Sequence, residues 1–235
     1  EGCHHCSYTQ GSPSNPGNFR NTSLLSVRGK LYARFLLSKL ECWVEEAGSI
    51  GHEQAGFRPR HSTTDHTLIL YHLALKYSTP RKGRLCVAFI DLKAAFDSIP
   101  RHKLWGKLSS WGIDKRLLWL ISQLHEGTEA KVRLTPQGDL SKAIPVNNGV
   151  RQGCILAPLL FNLYISDWRR ALMDQLDYIH APRLDDYRCP LLLYADDAAI
   201  LSFSQMGLLK ALKILSNYCC ANQLSINHSK SKIMI

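Results

Sequence analysis

The amino-acid sequence predicts a protein of the α+β class, with several helices and a small number of short strands. Two apolar runs have the length of buried strands, residues 85–90 and 191–201, and the second is interrupted by Asp196 and Asp197. Around these runs, apolar side chains recur at helical spacing, and Gly, Pro and Asn mark the turns. With 235 residues, 45% of them hydrophobic, the chain can bury the core of one large domain or of two joined subdomains.

The charge balance favours a polyanionic partner such as nucleic acid without proving one. Lys and Arg outnumber Asp and Glu by 29 to 19, which gives a net charge of +10. No apolar run approaches the roughly 18 to 20 residues needed to cross a bilayer, and the N-terminus lacks the pattern of a signal peptide. We therefore expect an intracellular protein, in the cytoplasm or nucleus, that has no membrane partner.

Residues 1–17 are rich in Gly, Ser, Pro and Asn and are expected to form an irregular arm. Within this arm, residues 3–6 (CHHC) have the spacing of half a zinc site. Four adjacent residues cannot all surround one tetrahedral ion, and no second Cys/His pair follows at finger spacing, so zinc is not expected there. Most of the other cysteines fall in apolar stretches and are expected to be reduced core residues.

Two helices are predicted before the first strand. The first begins at Ser26 and ends near Gly48, because glycine favours helix termination. The second follows Ser62, which forms a capping box with Asp65, and it ends just before Pro80. The predicted buried face of the first helix comprises Tyr32, Phe35, Leu36, Leu40 and Trp43. That of the second helix is the stripe Leu68, Tyr71 and Leu75, with Ile69 and Leu73 beside it.

Three carboxylates stand at the ends of the predicted strands. Asp91 follows the run 85–90, and Asp196 and Asp197 interrupt the run 191–201. Like charges between buried segments repel each other and lose hydration, so they persist where a cation or a tight turn accommodates them. Asp91 is therefore either a metal ligand or a strand cap, and the Asp pair either binds Mg²⁺ or only makes a hairpin turn. If the strands are neighbours, the three acids converge at one cleft.

The segment between these acids is predicted to contain further helices and a hairpin. Asp114 is suited to cap one helix, and Pro158 is suited to the first turn of another. Gly149 and Gly153 lie in a loop where the backbone can approach a ligand closely, or they are ordinary turn glycines. The expected elements are helices over 100–109, 114–125 and 158–174, and a hairpin with a strand over 130–134 and a turn at 136–139.

Four separated stretches together resemble the reverse-transcriptase domain of non-LTR, or LINE-type, retrotransposons, in their order and their spacing. They are residues 89–98 (FIDLKAAFDS), 149–158 (GVRQGCILAP), 194–197 (YADD) and 224–232 (LSINHSKSK). Upstream, residues 18–25 (NFRNTSLL) and 54–65 (QAGFRPRHSTTD) are similar to the fingers motifs of the same family. A lone YADD sequence would be a weak signal, whereas the ordered set is specific.

The resemblance implies the right-hand polymerase fold, with an antiparallel palm sheet backed by helices. It assigns residues 18–84 to the fingers and residues 85–235 to the palm, with an inserted fingers hairpin near 110–145. The sequence ends shortly after the fourth motif, so we expect a C-terminally truncated fragment that lacks a thumb and holds primer and template poorly.

The activity implied by the resemblance is RNA-directed DNA polymerisation, in which deoxynucleotides are added to the 3′ end of a DNA primer on an RNA template. The implied cofactors are two Mg²⁺ ions, with Mn²⁺ as a possible substitute, held by Asp91 and Asp196. Two divalent ions about 4 Å apart can stabilise the attacking and leaving oxygens of a phosphoryl transfer together. Asp197 matches the third acid of the family, although shaping the turn is the alternative role for it.

Three further matches lie near the nucleotide in the family. Phe96 occupies the position of the steric gate, a bulky ring that leaves no room for a ribose 2′-hydroxyl, and ordinary core packing is its alternative role. Gln152 and Gly153 match positions that shape the pocket under the template base and the incoming nucleotide.

Three basic residues are candidates for contacts with phosphate. Lys230 matches the position of the proton donor to departing pyrophosphate, and it can also simply neutralise phosphate charge. Arg58 and Arg60 lie in the basic fingers loop and are candidates for contacts with triphosphate or template, because a guanidinium pairs with phosphate in bidentate fashion. Solvated surface charge is the alternative for all three.

Two other functions remain open from the sequence. A catalytically decayed, nucleic-acid-binding remnant would keep the basic fold, although the retention of all three acids argues against long decay. An RNA-dependent RNA polymerase is disfavoured by Phe96 and by Tyr194-Ala195 before the acids, where such enzymes have Gly. The oligomeric state is not indicated by any pattern in the chain.

Overall fold

The fold is taken from a computed structural model that describes residues 3–8, 19–24, 26–77, 84–131, 141–151, 153–177 and 180–235, with side chains described from residue 26 onward. The chain divides into two compact units, each made of two segments. The first unit comprises Glu1–Ala47 and Ile99–Leu160, and the second comprises Gly48–Ser98 and Phe161–Ile235. The predicted α+β class is confirmed.

Helices and strands follow one another along the chain in a mixed order. They are β1 (Cys3–Tyr8), β2 (Phe19–Leu24), α1 (Val27–Ala47), α2 (Thr63–Lys76), β3 (Cys86–Asp91), α3 (Ala95–Ser98), α4 (Arg101–Ser110), α5 (Lys115–Gln123), β4 (Glu129–Ala130), β5 (Ile144–Pro145), α6 (Ala157–Ile165), α7 (Trp168–Gln175), β6 (Arg183–Leu184), β7 (Tyr187–Arg188), β8 (Leu191–Tyr194), β9 (Asp197–Ser202), α8 (Gln205–Ala221) and β10 (Lys232–Met234).

A four-stranded antiparallel sheet forms the centre of the second unit, in the order β10-β3-β9-β8. Both predicted strand runs lie in it, and β3 and β9 are its two inner strands. Helix α8 packs against β3 and β9 and also contacts α7. The side chain of Ser204 accepts a hydrogen bond from the Gly207 backbone N–H and caps α8, which fixes where that helix starts after β9.

Helix α2 also packs on this sheet, but through only one side of the predicted buried face. The residues of the predicted stripe, Leu68, Tyr71 and Leu75, are 56%, 58% and 53% exposed, whereas Leu73, which was predicted beside the stripe, is fully buried. Leu73 belongs to a core cluster with Val87, Cys189, Leu192 and Leu201 of the sheet region. The central stripe was wrong, while Leu73 and Ile69 beside it do pack against the core. Apolar side chains surround most of this helix, so its sequence does not specify which of them meet the sheet. The predicted capping box is present, since the Ser62 N–H donates to Asp65 at 2.7 Å.

Helix α1 begins and ends close to the predicted residues, and its buried face is shifted from the predicted stripe. The buried side chains are Ala33, Leu36, Leu37, Leu40 and Val44. Two residues of the predicted stripe, Tyr32 and Phe35, are 40% and 55% exposed. Helix α1 packs on α5 in the first unit, and α5 also contacts α4. Asp114 caps α5 as predicted, because its Oδ1 accepts the Leu117 N–H at 2.8 Å.

Two other predictions need correction. The arm over residues 1–17 was expected to be irregular, but its residues Cys3–Tyr8 form a strand that pairs antiparallel with β2. Residues 3–8 (CHHCSY) show no alternation of apolar and polar side chains, so the pattern of the arm alone does not reveal this strand. The helix expected over 158–174 is divided into α6 and α7 at Ser166 and Asp167, where the Asp167 carboxylate accepts a 2.6 Å bond from the Tyr218 hydroxyl.

The predicted hairpin is found only in part: of its strand over 130–134, Ala130 lies in β4, Lys131 lies in no strand, and 132–134 fall outside the described residues. Glu129 pairs with Pro145, and Ala130 pairs with Ile144. Its expected turn at 136–139 lies outside the described residues. Among the helices that the structure describes, none combines the length and the apolar character needed to cross a bilayer. The assignment of residue ranges to fingers and palm remains a prediction.

His125, in the first unit, is buried where a positive charge on its ring is unfavourable. His125 is 1% exposed, and its Nδ1 lies 3.0 Å from the Ile121 carbonyl oxygen. A carbonyl only accepts, so Nδ1 carries the hydrogen of the neutral ring. Burial, together with Arg101 and Arg151 nearby, lowers the pKa of His125 to about 4 despite that hydrogen bond. The folded protein therefore resists protonation of a residue that the unfolded chain protonates readily.

This lowered pKa predicts a loss of stability in mild acid. Between about pH 6.5 and pH 4 the unfolded chain binds a proton at His125 that the folded chain does not, so the free energy of unfolding falls by up to about 3 kcal/mol as the pH decreases. Urea unfolding at a series of pH values should show this slope in the natural chain and a shallower one in His125→Gln. The exposed His102→Gln variant should keep the natural slope, and an unchanged slope in His125→Gln would refute the assignment.

Candidate active site

The register of the central strands brings two of the predicted acids together. Asp91 is the last residue of β3 and pairs directly with Asp197, the first residue of β9. Tyr194 at the end of β8 also pairs with Asp197. Residues paired across antiparallel strands project to the same face of a sheet, so Asp91 and Asp197 share one face at one end of the sheet.

The third acid lies in the turn between β8 and β9. Ala195 and Asp196 connect these strands, and Ala195 has a φ of 55°, which is a left-handed conformation. Tight two-residue hairpin turns require positive φ at their first central residue, and Ala is strained there. Asp196 is half-buried in this turn. Asp196 thus takes part in the hairpin turn, and its carboxylate lies next to the strand end that pairs Asp197 with Asp91.

The Asp197 carboxylate lies within electrostatic reach of the other two acids and of one lysine. The pKa of Asp197 is raised, first by burial and then by the negative charges of Asp196 and Asp91, and Lys230 opposes this shift. Asp91, Asp197 and Lys230 line a cleft of about 360 Å³ on the second unit, together with Tyr194. The Lys230 side chain is exposed at this cleft. The carboxylates therefore repel each other at a surface that a ligand can reach.

A loop after α8 holds Asp91 in place. The Asn227 side-chain Nδ2 donates to the Asp91 carboxylate at 2.7 Å, and the Asn227 backbone N–H donates to the Asp91 carbonyl at 2.8 Å. The Asp91 N–H donates to the Ser231 hydroxyl at 3.3 Å, and the Lys93 N–H donates to the Ser225 carbonyl at 2.7 Å. The same loop carries Lys230, so the position of that lysine is tied to the end of β3.

The donor set at this cleft has the chemistry that a divalent cation needs. Carboxylate oxygens are the hard ligands preferred by Mg²⁺, which is commonly bound by one or two carboxylates plus substrate phosphates. A cation would also relieve the repulsion that raises the pKa of Asp197. Within the described part of the chain, no group of three or more Cys, His, Asp or Glu side chains is already arranged around a metal position. The site fits a cation whose coordination is completed by a bound phosphate.

The remaining predicted residues are distributed between the two units. Phe96, in α3 of the second unit, is half-buried and stacks on Phe161 with ring centroids 4.8 Å apart. Gly153 is exposed in the first unit with a φ of 97°, a conformation that glycine adopts without strain. Gln152 lies outside the described residues.

The two predicted arginines differ in their surroundings. The half-buried Arg58 donates from Nη1 to the Gly51 carbonyl at 2.7 Å and to the Gln54 carbonyl at 3.3 Å. It therefore braces its own loop. Arg60 is exposed and has a φ of 62°. Phosphate contacts by either arginine remain a prediction.

Sequence reasoning missed two polar residues that contact the acid-bearing segments. Asn227 lies in the fourth motif stretch, but nothing in the local pattern indicates that its amide reaches Asp91, more than 100 residues away. Gln54 begins the second fingers stretch and is 2% exposed, bonded to the turn residue Ala195. A buried amide is a general signal of a structural hydrogen bond, yet only the folded chain identifies its partner.

Comparisons with known proteins show which family the sequence matches. Residues 10–235 match the family described as "Reverse transcriptase (RNA-dependent DNA polymerase)". The chain is 29% identical over 214 residues to the RNA-directed DNA polymerase from mobile element jockey of Drosophila melanogaster, with 90% of this chain and 22% of that protein covered. It is 26% identical to the Pol polyprotein of the type-1 retrotransposable element R2 of Popillia japonica, with 94% of this chain and 30% of that protein covered. The chain thus spans less than a third of the length of these relatives.

Solved structures support the predicted fold. The structure of telomerase from Candida tropicalis with a TWJ fragment of telomeric RNA matches 99% of this chain and 40% of its own chain, with a TM-score of 0.69 and 12% identity. A second telomerase structure from the same organism, without its C-terminal domain, gives a TM-score of 0.66. At this level of identity the likeness establishes the fold, which is that of a polymerase palm and fingers.

The contact between Asn227 and Asp91 predicts a supporting role in cation binding. Asn227→Ala frees one carboxylate oxygen of Asp91 to rotate, so we expect the affinity for Mn²⁺ to fall about tenfold, as is usual when a residue that orients a metal ligand is lost. Mn²⁺ titration followed by electron paramagnetic resonance measures this affinity. Asn222→Ala is the matched control, since its amide bonds Tyr218 on α8 at 2.9 Å. Unchanged Mn²⁺ affinity in Asn227→Ala would contradict the role.

Proposed function

The chain belongs to the reverse transcriptase (RNA-dependent DNA polymerase) family, and we propose that it copies an RNA template by adding deoxynucleotides to the 3′ end of a DNA primer. The observation that carries this proposal is the pairing of Asp91 with Asp197 beside the turn that holds Asp196. Acids from two separate stretches of sequence thereby meet at one exposed cleft. Non-LTR retrotransposons supply the named relatives, so we place the chain in an element of that type.

The proposed cofactor is a pair of Mg²⁺ ions held by Asp91 and Asp196, with Mn²⁺ as a substitute. When bound, these ions would lower the pKa of the primer 3′-hydroxyl and neutralise charge on the triphosphate. Asp197 would add a third carboxylate, since its charge is already coupled to those of the other two acids. The buried residues of β3 and β9 place Asp91 and Asp197 at the ends of packed strands, which supports the fixed positions that phosphoryl transfer requires.

Lys230 is proposed as the group that protonates or neutralises the departing pyrophosphate. Its side chain is exposed at the cleft, and its charge acts on Asp197, so it lies within electrostatic reach of the acids. An ammonium at this position can donate a proton to a phosphate oxygen or offset its charge. The loop contacts of Asn227 would keep this lysine close to the carboxylates.

Phe96 is proposed to select deoxynucleotides. It follows Asp91 by five residues, after a backbone turn in which Ala94 has a φ of 47°. Its ring stacks on Phe161, which limits the freedom of the side chain and favours a fixed wall. Gln152 and Gly153 are proposed to shape the pocket for the base pair, and Arg58 and Arg60 to contact template or triphosphate.

The proposed partners are an RNA template, a DNA primer and deoxynucleoside triphosphates. The net charge of +10 supports a polyanionic partner. A telomerase of similar fold was solved with an RNA fragment, which supports template binding by this fold. The proposed compartment is intracellular, in the cytoplasm or nucleus, where such templates and nucleotides are found.

Asparagine variants of the acids test the proposed chemistry. Asp91→Asn and Asp196→Asn each remove a charge from the cation site while keeping the side-chain shape, so primer extension with Mg²⁺ should fall at least about 100-fold. Asp185→Asn makes the same change on an exposed turn between β6 and β7 and should extend primers normally. Wild-type extension by either acid variant would overturn the assignment.

The same assay separates this function from its alternatives. Template binding that survives Asp196→Asn and EDTA, with no extension by the natural chain under any metal condition, would instead identify a nucleic-acid-binding remnant. Preferred incorporation of ribonucleotides by the natural chain would identify an RNA polymerase.

Removal of the Phe96 ring tests sugar selection. Phe96→Val opens space beneath the sugar, so we expect the preference for dNTP over rNTP to weaken about tenfold or more, while the rate with dNTP changes less. Single-nucleotide incorporation kinetics with each substrate measure the ratio. Phe161→Leu, which alters the stacked partner in α6, serves as the comparison, because a core effect would lower both rates equally. An unchanged ratio in Phe96→Val would show that the ring only packs.

A further inference from the structure

The turn that carries Asp196 is held from its side by residues 53–56, which are distant in sequence and lie in the same unit. We propose that Gln54 is a positioning residue for this turn, because its carboxamide fixes the backbone of Ala195 and so directs the Asp196 carboxylate. The inference rests on the proposed polymerase function for its catalytic meaning, while the geometry stands independently of that function.

The backbone of this segment pairs with the outer strand of the sheet. The Leu193 N–H donates to the Glu53 carbonyl at 2.7 Å, and the Ala55 N–H donates to the Leu193 carbonyl at 2.9 Å. Gln54 therefore forms a parallel bridge with Leu193 along the edge of β8. These bonds hold Gln54 beside Leu193, and the turn residue Ala195 follows Leu193 by two residues.

The Gln54 carboxamide forms hydrogen bonds with both the N–H and the carbonyl of Ala195. Oε1 accepts the Ala195 N–H at 3.0 Å and the Gly56 N–H at 2.8 Å. Nε2 donates to the Ala195 carbonyl at 3.4 Å. Among side chains of this length, only a neutral amide both accepts and donates in this way, since Glu offers two acceptors and Met offers no donor. The side chain is 2% exposed, so water does not compete for these bonds.

Close packing against the turn requires glycine at position 56. A Cβ built on Gly56 would lie 2.2 Å from the Ala195 nitrogen and 3.0 Å from Gln54 Oε1. The Gly56 carbonyl accepts a 2.7 Å bond from the Asn162 side chain, which fixes the glycine from the opposite side. Arg58 binds the Gln54 carbonyl and completes the support. The segment is thus built around contact with one turn.

The contact with Gln54 matters because Ala195 has an unfavourable backbone conformation. A φ of 55° is disfavoured for alanine, so the turn does not adopt it without support from elsewhere in the fold. Asp196 follows immediately, and the backbone angles of Ala195 set the direction in which its side chain leaves the turn. Loss of the Gln54 hydrogen bonds would let the turn relax and would displace the Asp196 carboxylate. Metal binding does not tolerate a displacement of about 1 Å.

The test compares Gln54→Met with the natural chain and with Ser202→Ala. Methionine keeps the length and volume of the side chain and removes both kinds of hydrogen bond. Ser202 is fully buried in the opposite end of β9, where its hydroxyl bonds the His180 carbonyl at 3.0 Å, so its variant matches the loss of a buried polar contact away from the turn.

Three readouts are expected to change together in Gln54→Met. The Ala195 amide should exchange hydrogen at least about tenfold faster while amides of β3 keep their protection. Mn²⁺ affinity should fall about tenfold, as for other residues that orient a metal ligand. In primer extension, kcat should fall while KM for primer–template stays unchanged. Ser202→Ala should leave all three at the natural values.

The outcomes distinguish this inference from the proposed function. A folded Gln54→Met protein with natural Ala195 exchange and natural Mn²⁺ affinity would overturn the positioning role. If the natural chain extends no primer, the polymerase proposal fails, yet exchange and Mn²⁺ binding still decide the role of Gln54. If thermal unfolding shows that Gln54→Met does not fold, Gln54→Asn is measured instead, because its amide is one methylene too short to reach Ala195. Natural values in that variant would equally refute the inference.

Discussion

The antiparallel pairing of β3 with β9 is the constraint on which the candidate site depends. It sets Asp91 opposite Asp197 and brings Asp196, in the adjoining turn, to the same end of the sheet. A shift of one residue in this register would turn one of the two paired acids to the opposite face. Placing like charges together in this way lowers stability. The pKa of Asp197 is accordingly raised, by its burial and by the negative charges of its neighbours. The paired acids lie where a bound cation can offset the repulsion between them.

The acids are braced from two directions by neutral amides. Asn227 reaches Asp91 from the loop after α8, and Gln54 reaches Ala195 from the segment before α2. An amide can hold a carboxylate or a strained backbone without adding charge, so neither brace competes with the cations proposed for the cleft. Rigid acids and a strained turn are therefore maintained by contacts with parts of the chain more than 100 residues away.

Local patterns predicted much of the secondary structure because they depend on neighbouring residues. Apolar runs located β3, β8 and β9, and side-chain caps located the starts of α2 and α5. The predicted central stripe of α2 was wrong, since Leu68 and Tyr71 are exposed, while Leu73, predicted beside that stripe, is the buried residue. A helix that is apolar over most of its circumference can pack through more than one face, and only its docking on the sheet decides between them.

By itself the sequence determined the chemistry available to this protein. It supplies three acids at the ends of predicted strands, a basic net charge and an ordered set of reverse-transcriptase motifs. Lys230 and Phe96 stand at positions that match those motifs. Tertiary structure alone decided the register that opposes Asp91 and Asp197, and it identified Asn227 as the support of Asp91 and Gln54 as the support of the turn at Ala195. The physical reason is the range of the forces involved. Propensity and capping act over a few neighbouring residues, whereas strand register and side-chain hydrogen bonds between distant segments exist only after the chain has folded.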